Sequence, residues 1–352
     1  MKNPGLYNIY DGRLLKRQME ESSEKRVTVS FYRYAHIGNP KALRDKLFIE
    51  WSALSIFGRV HVAKEGINAQ ISVPEKNMQR FKQLLDETCE VSGAAQRFPF
   101  KDMRLNFAVD DDGKSFFKLK IKVRDKILAD GLNDEMFDAS DVGKHLNAEE
   151  FNCLTDQPDT ILIDMRNHYE TEVGHFENAI LPDADTFREA LKIAEGMLRG
   201  KENKNIVMYC TGGIRCEKAS AWLKHKGFKN VYQLEGGIIS YARQVKEKGL
   251  KNKYHGKNFV FDERLGERIS DEIISRCHQC GKPSDRHTNC VNEACHLLFI
   301  QCEDCAVTYE GCCSAHCREF IHLPEEQQRA LRKGVKKSRN VFRKGRFSME
   351  KR

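Results

Sequence analysis

The chain of 352 residues lacks any uninterrupted apolar run near the roughly 18 residues that a membrane-spanning helix needs. Its opening, MKNPGLYNIYDGRLLKRQ, has no apolar stretch of secretory-leader length. Both absences point away from membrane and secreted classes, so the expected location is cytoplasmic. Glycine and proline, at 24 and 8, are too few for a collagen-like or low-complexity chain. A composition of 40% hydrophobic and 31% charged residues excludes disorder as well and leaves room for two or three folded domains. Cysteine is the residue in surplus. In a reducing compartment, thirteen thiols are metal ligands, nucleophiles or packing groups, not a disulfide framework.

Charge and cysteine are both unevenly spread. Residues 329–352 hold eleven Lys and Arg against the single acid Glu350, which leaves 48 basic and 50 acidic residues elsewhere, so the net charge of +8 belongs to the tail. Nine of the thirteen cysteines fall between Cys277 and Cys317. These shifts divide the chain into residues 1–130, 142–250 and 255–320, followed by a basic tail over 325–352.

The first territory alternates strand and helix signals. VTVSFY (27–32) reads as a strand, and Asn39-Pro40 supplies an N-cap and a first-turn proline. Leu43, Leu47, Trp51 and Leu54 then recur at helical spacing. A hairpin follows around Lys64-Glu65-Gly66, then a helix carrying Met78, Phe81 and Leu85, then a strand near 103–109. That β-α-β-β-α-β order is the ferredoxin-like plan, and it shows no paired catalytic residues. Further on, Phe117, Leu119, Ile121 and Val123 alternate with Lys118, Lys120, Lys122 and Arg124. Period two sends the apolar set to the core and the cations to the other face. Such a row is either a solvated surface or a grip on phosphates, and as a grip it would bind RNA.

The second territory reads as doubly wound α/β. TILIDM (160–165) and NIVMYC (205–210) have the composition of buried parallel strands, and a site is expected beyond their carboxyl ends. Cys210 ends one of these strands and opens the loop Thr211-Gly212-Gly213-Ile214-Arg215, which leads into a helix. The glycines let backbone amides turn inward, the helix N-terminus adds partial positive charge, and Arg215 adds a full one. All three favour thiolate over thiol, so the Cys210 pKa is expected below the free value of about 8.5.

These residues resemble the rhodanese domain, whose nucleophile heads a loop of the form C-x-x-G-x-R, here Cys210, Gly213 and Arg215. Asp164-x-Arg166, Glu170, Gly174-His175 and Glu235-Gly236-Gly237 extend the likeness over about 100 residues. A tyrosine phosphatase loop would need Arg at 216, where this chain has Cys216. Cys216 either resolves an oxidised or persulfurated Cys210 or packs in the helix.

The third territory pairs Cys277 with Cys280, Cys290 with Cys295, Cys302 with Cys305, and Cys312 with Cys317, with Cys313 beside the last pair. Two-residue gaps let both thiolates of a pair reach one tetrahedral ion, so four pairs allow two structural zinc ions. Pairing the first with the third and the second with the fourth is one option, and iron–sulfur ligation is an alternative. His278, His287, His296 and His316 are candidate substitute ligands, each more simply read as a surface histidine.

End to end, the chain resembles the rhodanese-family tRNA uridine(34) hydroxylases, through stretches such as FGRVHVAKEGINAQISV, DDDGKSFFKLKIKVRDKI, DMRNHYETEVGHFENA and MYCTGGIRCEKASAW. The resemblance implies an acylphosphatase-like first domain, a central rhodanese domain and a cysteine-rich end. It also implies oxygen-dependent formation of 5-hydroxyuridine at the wobble position of tRNA, with the anticodon loop as partner. No flavin or haem motif is visible, so none is expected. The competing reading is a sulfurtransferase carrying a Cys210 persulfide, and a weaker one is a non-catalytic RNA-binding redox sensor.

Overall fold

The computed structural model describes residues 6, 8, 10–86, 89–90, 97–98, 102–133 and 136–333. The greater part of the basic tail lies outside these residues. Its beginning forms the helix Glu325–Arg332, in which Arg329 pairs with Glu325 and Arg332 with Glu293.

After α1 (Gly12–Glu21), the first unit runs β1 (Arg26–Tyr34), α2 (Pro40–Ala53), β2 (Phe57–Ala63), β3 (Gly66–Pro74) and α3 (Met78–Asp86). A small β4–β5 pair (Cys89–Glu90, Arg97–Phe98) precedes β6 (Asn106–Phe107) and β7 (Leu119–Val123). The sheet order is β6-β1-β3-β2-β7. Its first four strands give the ferredoxin-like arrangement, and β7 is added at the edge, parallel to β2. Asn39 caps α2 by accepting from the Ala42 N–H, with Pro40 in the first turn. Leu43, Leu47 and Trp51 of α2 and Phe81 of α3 close over Val29, Phe31, Val60 and Ile71 on one sheet face. The turn between β2 and β3 needs Gly66, where a Cβ would stand 2.0 Å from the Arg33 carbonyl oxygen. Leu119 and Ile121 are in the core as expected, but Val123 is 45% exposed because the last residue of an edge strand runs past the helices that cover that face.

The second unit holds a parallel sheet of order β8-β12-β11-β9 (Lys144–Leu146, Asn230–Leu234, Asn205–Tyr209, Thr160–Asp164). Helices α6 (Phe187–Leu198) and α7 (Ile214–His225) bury Leu191, Ala194, Ala219 and Leu223 against one face. Helices α4 (Ala148–Thr155) and α8 (Gly237–Lys248) bury Phe151, Ile238 and Tyr241 against the other. This is the doubly wound plan. It includes the short α5 (His168–Thr171) and β10 (Gly174–Phe176), which pairs with β13 (Tyr254–Asn258), itself paired with β14 (Glu267–Arg268). The cysteine-rich end follows as the hairpin β15–β16 (His287–Asn289, Leu298–Ile300) and the helices α9 (Glu303–Thr308), α10 (Ala315–Ile321) and α11 (Glu325–Arg332). No helix among the described residues is long and apolar enough to cross a membrane.

Candidate active site

Cys210 follows the last residue of β11, and Gly213 caps the N-terminus of α7 with φ near 100°, a backbone state that glycine adopts without strain. The turn aims the Gly213 N–H at the Cys210 sulfur, 3.1 Å away. Cys210 is only 1% exposed. Burial alone would push its pKa up. The Cys216 thiol, the Arg215 charge and the backbone amides of Arg215 and Cys216 together outweigh burial and hold it at about 6. Burial and the neighbouring Cys210 push Cys216 the other way, well above the ordinary thiol range. The pair is therefore a thiolate with a protonated thiol beside it.

Arg215 is not a free cation. Its guanidinium grips Glu170 at both oxygens, at 2.5 and 2.8 Å, and donates to the Thr211 hydroxyl at 3.2 Å. Glu170, in α5, thus fixes the arginine so that it shapes the loop as well as biasing the thiolate. Asp164 and Arg166 form a fully buried pair, and Arg166 also donates to the Tyr254 hydroxyl and the Gly174 carbonyl. They tie β9 to β10 and β13 and stand outside the cleft lining. The Gly236-Gly237 turn packs under the loop, where a Cβ on Gly237 would come within 2.5 Å of the Cys210 carbonyl oxygen. Ile238 and Ile239 donate their N–H groups to the carbonyls of Cys210 and Thr211.

The Cys210 loop opens into a cleft of about 460 Å³ between the first and second units. Its opposite wall is the face of the five-stranded sheet that α2 and α3 leave uncovered, with Tyr32, Arg59, His61, Gln70 and Asn106 among its residues. The Tyr32 hydroxyl donates to Glu217 at 2.8 Å, and Asn106 donates through Nδ2 to the Gly212 carbonyl at 3.3 Å. Arg104 pairs with Glu235 and Lys218 with Glu65, so ion pairs clamp the two units around the loop. A third stretch, Val260 to Glu267, completes the wall, with Arg264 bridging Asp262 and Glu267. Burial raises the Glu267 carboxyl to about 7 despite Arg264. Tyr32, Arg59, His61, Gln70, Asn106 and Glu267 escaped the sequence reading. The signal for most of them was present: T-x-S-x-Y in β1, R-x-H in β2 and N-x-Q in β3 are polar at every second position.

The expected cation row is real as geometry. Lys120 sits beside Arg59 and Lys122 beside His61 across the β2–β7 pairing, which places these cations on the same sheet face as the cleft wall. The cysteine-rich end gathers two sets of four. Cys277, Cys280, Cys302 and Cys305 have their sulfurs within 4.8 Å of one another, and so do Cys290, Cys295, Cys313 and Cys317. Each set could hold a metal ion. The pairing is first with third and second with fourth, but the fourth pair contributes Cys313 where Cys312 was expected. Cys313 brings its sulfur within the mutual distance of the other three, and its N–H donates to the Cys290 sulfur at 3.4 Å, whereas Cys312 lies beside the set. Cys312 is buried, with its carbonyl taking bonds from Gln279 and Gln301. None of His278, His287, His296 and His316 belongs to either set; His278 instead meets Glu172 at 2.7 Å.

Comparison with known proteins agrees with this architecture. Residues 26–127 match the UPF0176 acylphosphatase like domain, 147–244 the rhodanese-like domain, and 255–318 the rhodanase C-terminal family. A tRNA uridine(34) hydroxylase from Leptospira interrogans is 54% identical over 346 residues, covering 98% of this chain and 92% of that protein. Proteins of the same name from Photorhabdus laumondii and Yersinia enterocolitica are each 55% identical, over 347 and 341 residues, covering 99% and 97% of this chain and 96% and 95% of theirs. With identity of this order along nearly the whole length, and the same succession of three domains, the chain belongs to the tRNA uridine(34) hydroxylase family.

Proposed function

We propose that the protein hydroxylates the wobble uridine of tRNA at C5 with molecular oxygen, and that Cys210 is its nucleophile. The observation that carries this reading is the thiolate of Cys210, held at about 6, at the inner end of a cleft with a polar opposite wall. C5 of uracil becomes nucleophilic only after addition at C6. Addition of the Cys210 sulfur there forms an S–C6 bond and leaves an enolate whose C5 attacks oxygen. One oxygen atom stays on C5 and the other leaves as water, which takes two electrons from a reductant. Loss of the C5 proton then expels Cys210 and restores the ring. A base in a single-stranded loop can be splayed into such a cleft while phosphates are held elsewhere. The grip is assigned to Lys118, Lys120, Lys122 and Arg124, assisted by the tail, and the enzyme is assigned to the cytosol. The two four-cysteine sets are assigned to zinc, which would supply much of the folding free energy of a segment with so small an apolar core.

Mass spectrometry of wobble nucleosides from cells carrying the parent or the Cys210→Ala gene tests the reaction: 5-hydroxyuridine should disappear with the thiol. Tests with tRNA containing 5-fluorouridine separate addition from the sulfurtransferase alternative. A covalent adduct at Cys210 supports addition. A persulfurated Cys210 as the competent form, with no adduct, would sink it.

A further inference from the structure

The uncovered face of the first sheet carries a continuous lane of polar side chains. In one row, Lys122 of β7 stands beside His61 of β2, His61 beside Asn68 of β3, and Asn68 beside Tyr32 of β1. In the next, Lys120 stands beside Arg59, Arg59 beside Gln70, Gln70 beside Ser30, and Ser30 beside Asn106. Both rows end under the Cys210 loop, since Tyr32 bonds Glu217 of α7 and Asn106 bonds Gly212. Three inter-strand spacings separate Lys122 from Tyr32, about 14 Å. The lane therefore joins the cation row at the sheet edge to the reactive sulfur over the length of a short piece of extended single strand.

Its cationic end is electrostatically unfinished. Elsewhere in the chain, buried cations have carboxylate partners: Arg166 with Asp164, Arg215 with Glu170, Arg264 with Asp262, Lys218 with Glu65. Around His61, the exposed cations Arg59, Lys120 and Arg124 and the half-buried Lys122 have water but no carboxylate for company: they form no salt bridge among the described residues, and Arg59 has a single long bond of 3.5 Å to the Phe261 carbonyl. Burial, helped by Arg124, Arg59, Lys122 and Lys120, holds the His61 imidazole down to about 4, so this site keeps a neutral base among four positive charges. Gln70, next along the lane, makes no side-chain hydrogen bond among the described residues. Like charges held this close leave room for an anion that removes their repulsion.

Resting on the reading of the substrate as RNA, we infer that Arg59, His61, Lys120, Lys122 and Arg124 form a seat for a backbone phosphodiester of the nucleotides flanking the target uridine. The Gln70 carboxamide, between seat and sulfur, meets the edge of the base. Phosphate on the seat fixes the strand's register, and the free amide offers both a donor and an acceptor to uracil.

The test uses the full-length protein and a synthetic anticodon stem–loop with uridine at the wobble position, with binding measured at 50 and 200 mM salt. Each single-strand phosphate contact contributes about 0.7 to the slope of log affinity against log salt. Arg59→Ala and Lys122→Ala should each weaken binding, and the fourfold salt step should cost each variant about 2.6-fold less than it costs the parent. Gln70→Leu should raise KM with an unchanged salt slope. The unfolding midpoint serves as the folding control. In the parent, the His61 ring resonances should shift on adding the stem–loop. Parental slopes in both alanine variants would overturn the seat, and so would a His61 response to inorganic phosphate alone with none to RNA. Reduced slopes without 5-hydroxyuridine would leave the seat standing and sink the hydroxylase reading; 5-hydroxyuridine with parental slopes would do the reverse.

Discussion

Replacing Cys216 by alanine removes the one side-chain S–H that faces Cys210 and leaves Arg215 and the loop amides in place. Hydrogen bonds to charged groups are worth about 1.5–3 kcal/mol, and a thiol is a weak donor, so the lower end applies. One pKa unit corresponds to about 1.4 kcal/mol. The Cys210 midpoint, about 6 in the parent, should therefore rise by about one unit in Cys216→Ala. Near the parental midpoint, the thiolate fraction then falls from about a half to about a tenth, whereas two to three units higher both proteins are ionised and react alike. The assay is the rate of alkylation by iodoacetamide as a function of pH, with the labelled residue identified by mass spectrometry. Cys216→Ser keeps a donor and should stay close to the parent. A midpoint in Cys216→Ala that stays put or moves down would refute the idea that this thiol stabilises the anion. The sign also fixes a stability trend. The folded pKa lies below the free value of about 8.5, so the fold binds fewer protons than the unfolded chain between about 6 and about 8.5. The stability this contributes is complete above that window and is lost as pH falls through it.

Glu170→Gln strips the charge from the carboxylate that grips Arg215 and leaves a buried guanidinium uncompensated; urea denaturation should show a loss of about 3–5 kcal/mol. Cys313→Ser should lower the bound zinc measured by elemental analysis, whereas Cys312→Ser should keep the parental content; equal losses would contradict the ligand assignment. Glu267 has its folded pKa raised from 4.5 to about 7, so the folded chain holds more protons there, and stability falls as pH rises through that window. Glu267→Gln should flatten the dependence of the melting temperature on pH over that range, and an undiminished dependence would place its origin elsewhere.

Much of the site was legible because strand, cysteine, glycine loop, arginine and helix are contiguous in sequence, and local backbone geometry decides what they do. The pairing of Glu170 with Arg215 was not legible, because nothing in the spacing of residues 45 apart reports a bidentate contact. Cys313 takes the place of Cys312 for a similar reason: spacing brings both thiols beside Cys290, but which of two adjacent sulfurs completes the set is decided by the tertiary packing of the turn. The first sheet's polar lane was missed through a narrower failure. The strand and the hairpin were recognisable from their apolar residues, and the polar positions between those residues carry no mark of their own to say that they face another unit. Whether a polar face meets water or a partner is a property of tertiary docking. Val123 erred in the opposite direction, since alternation says which side a residue takes but not whether anything covers it.

The cleft's walls come from stretches that a ribosome delivers in order: the sheet first, then the Cys210 loop, and Val260 to Glu267 last. Until that final stretch has emerged, the nascent chain has an acidic thiol with one side open to the medium. A product ending between Lys248 and Val260 would keep the strand, the loop, the helices α7 and α8 that hold it and hence the thiolate, and it would lack the enclosure that decides what the thiolate touches. The last-made stretch is therefore what turns a reactive sulfur into a selective one.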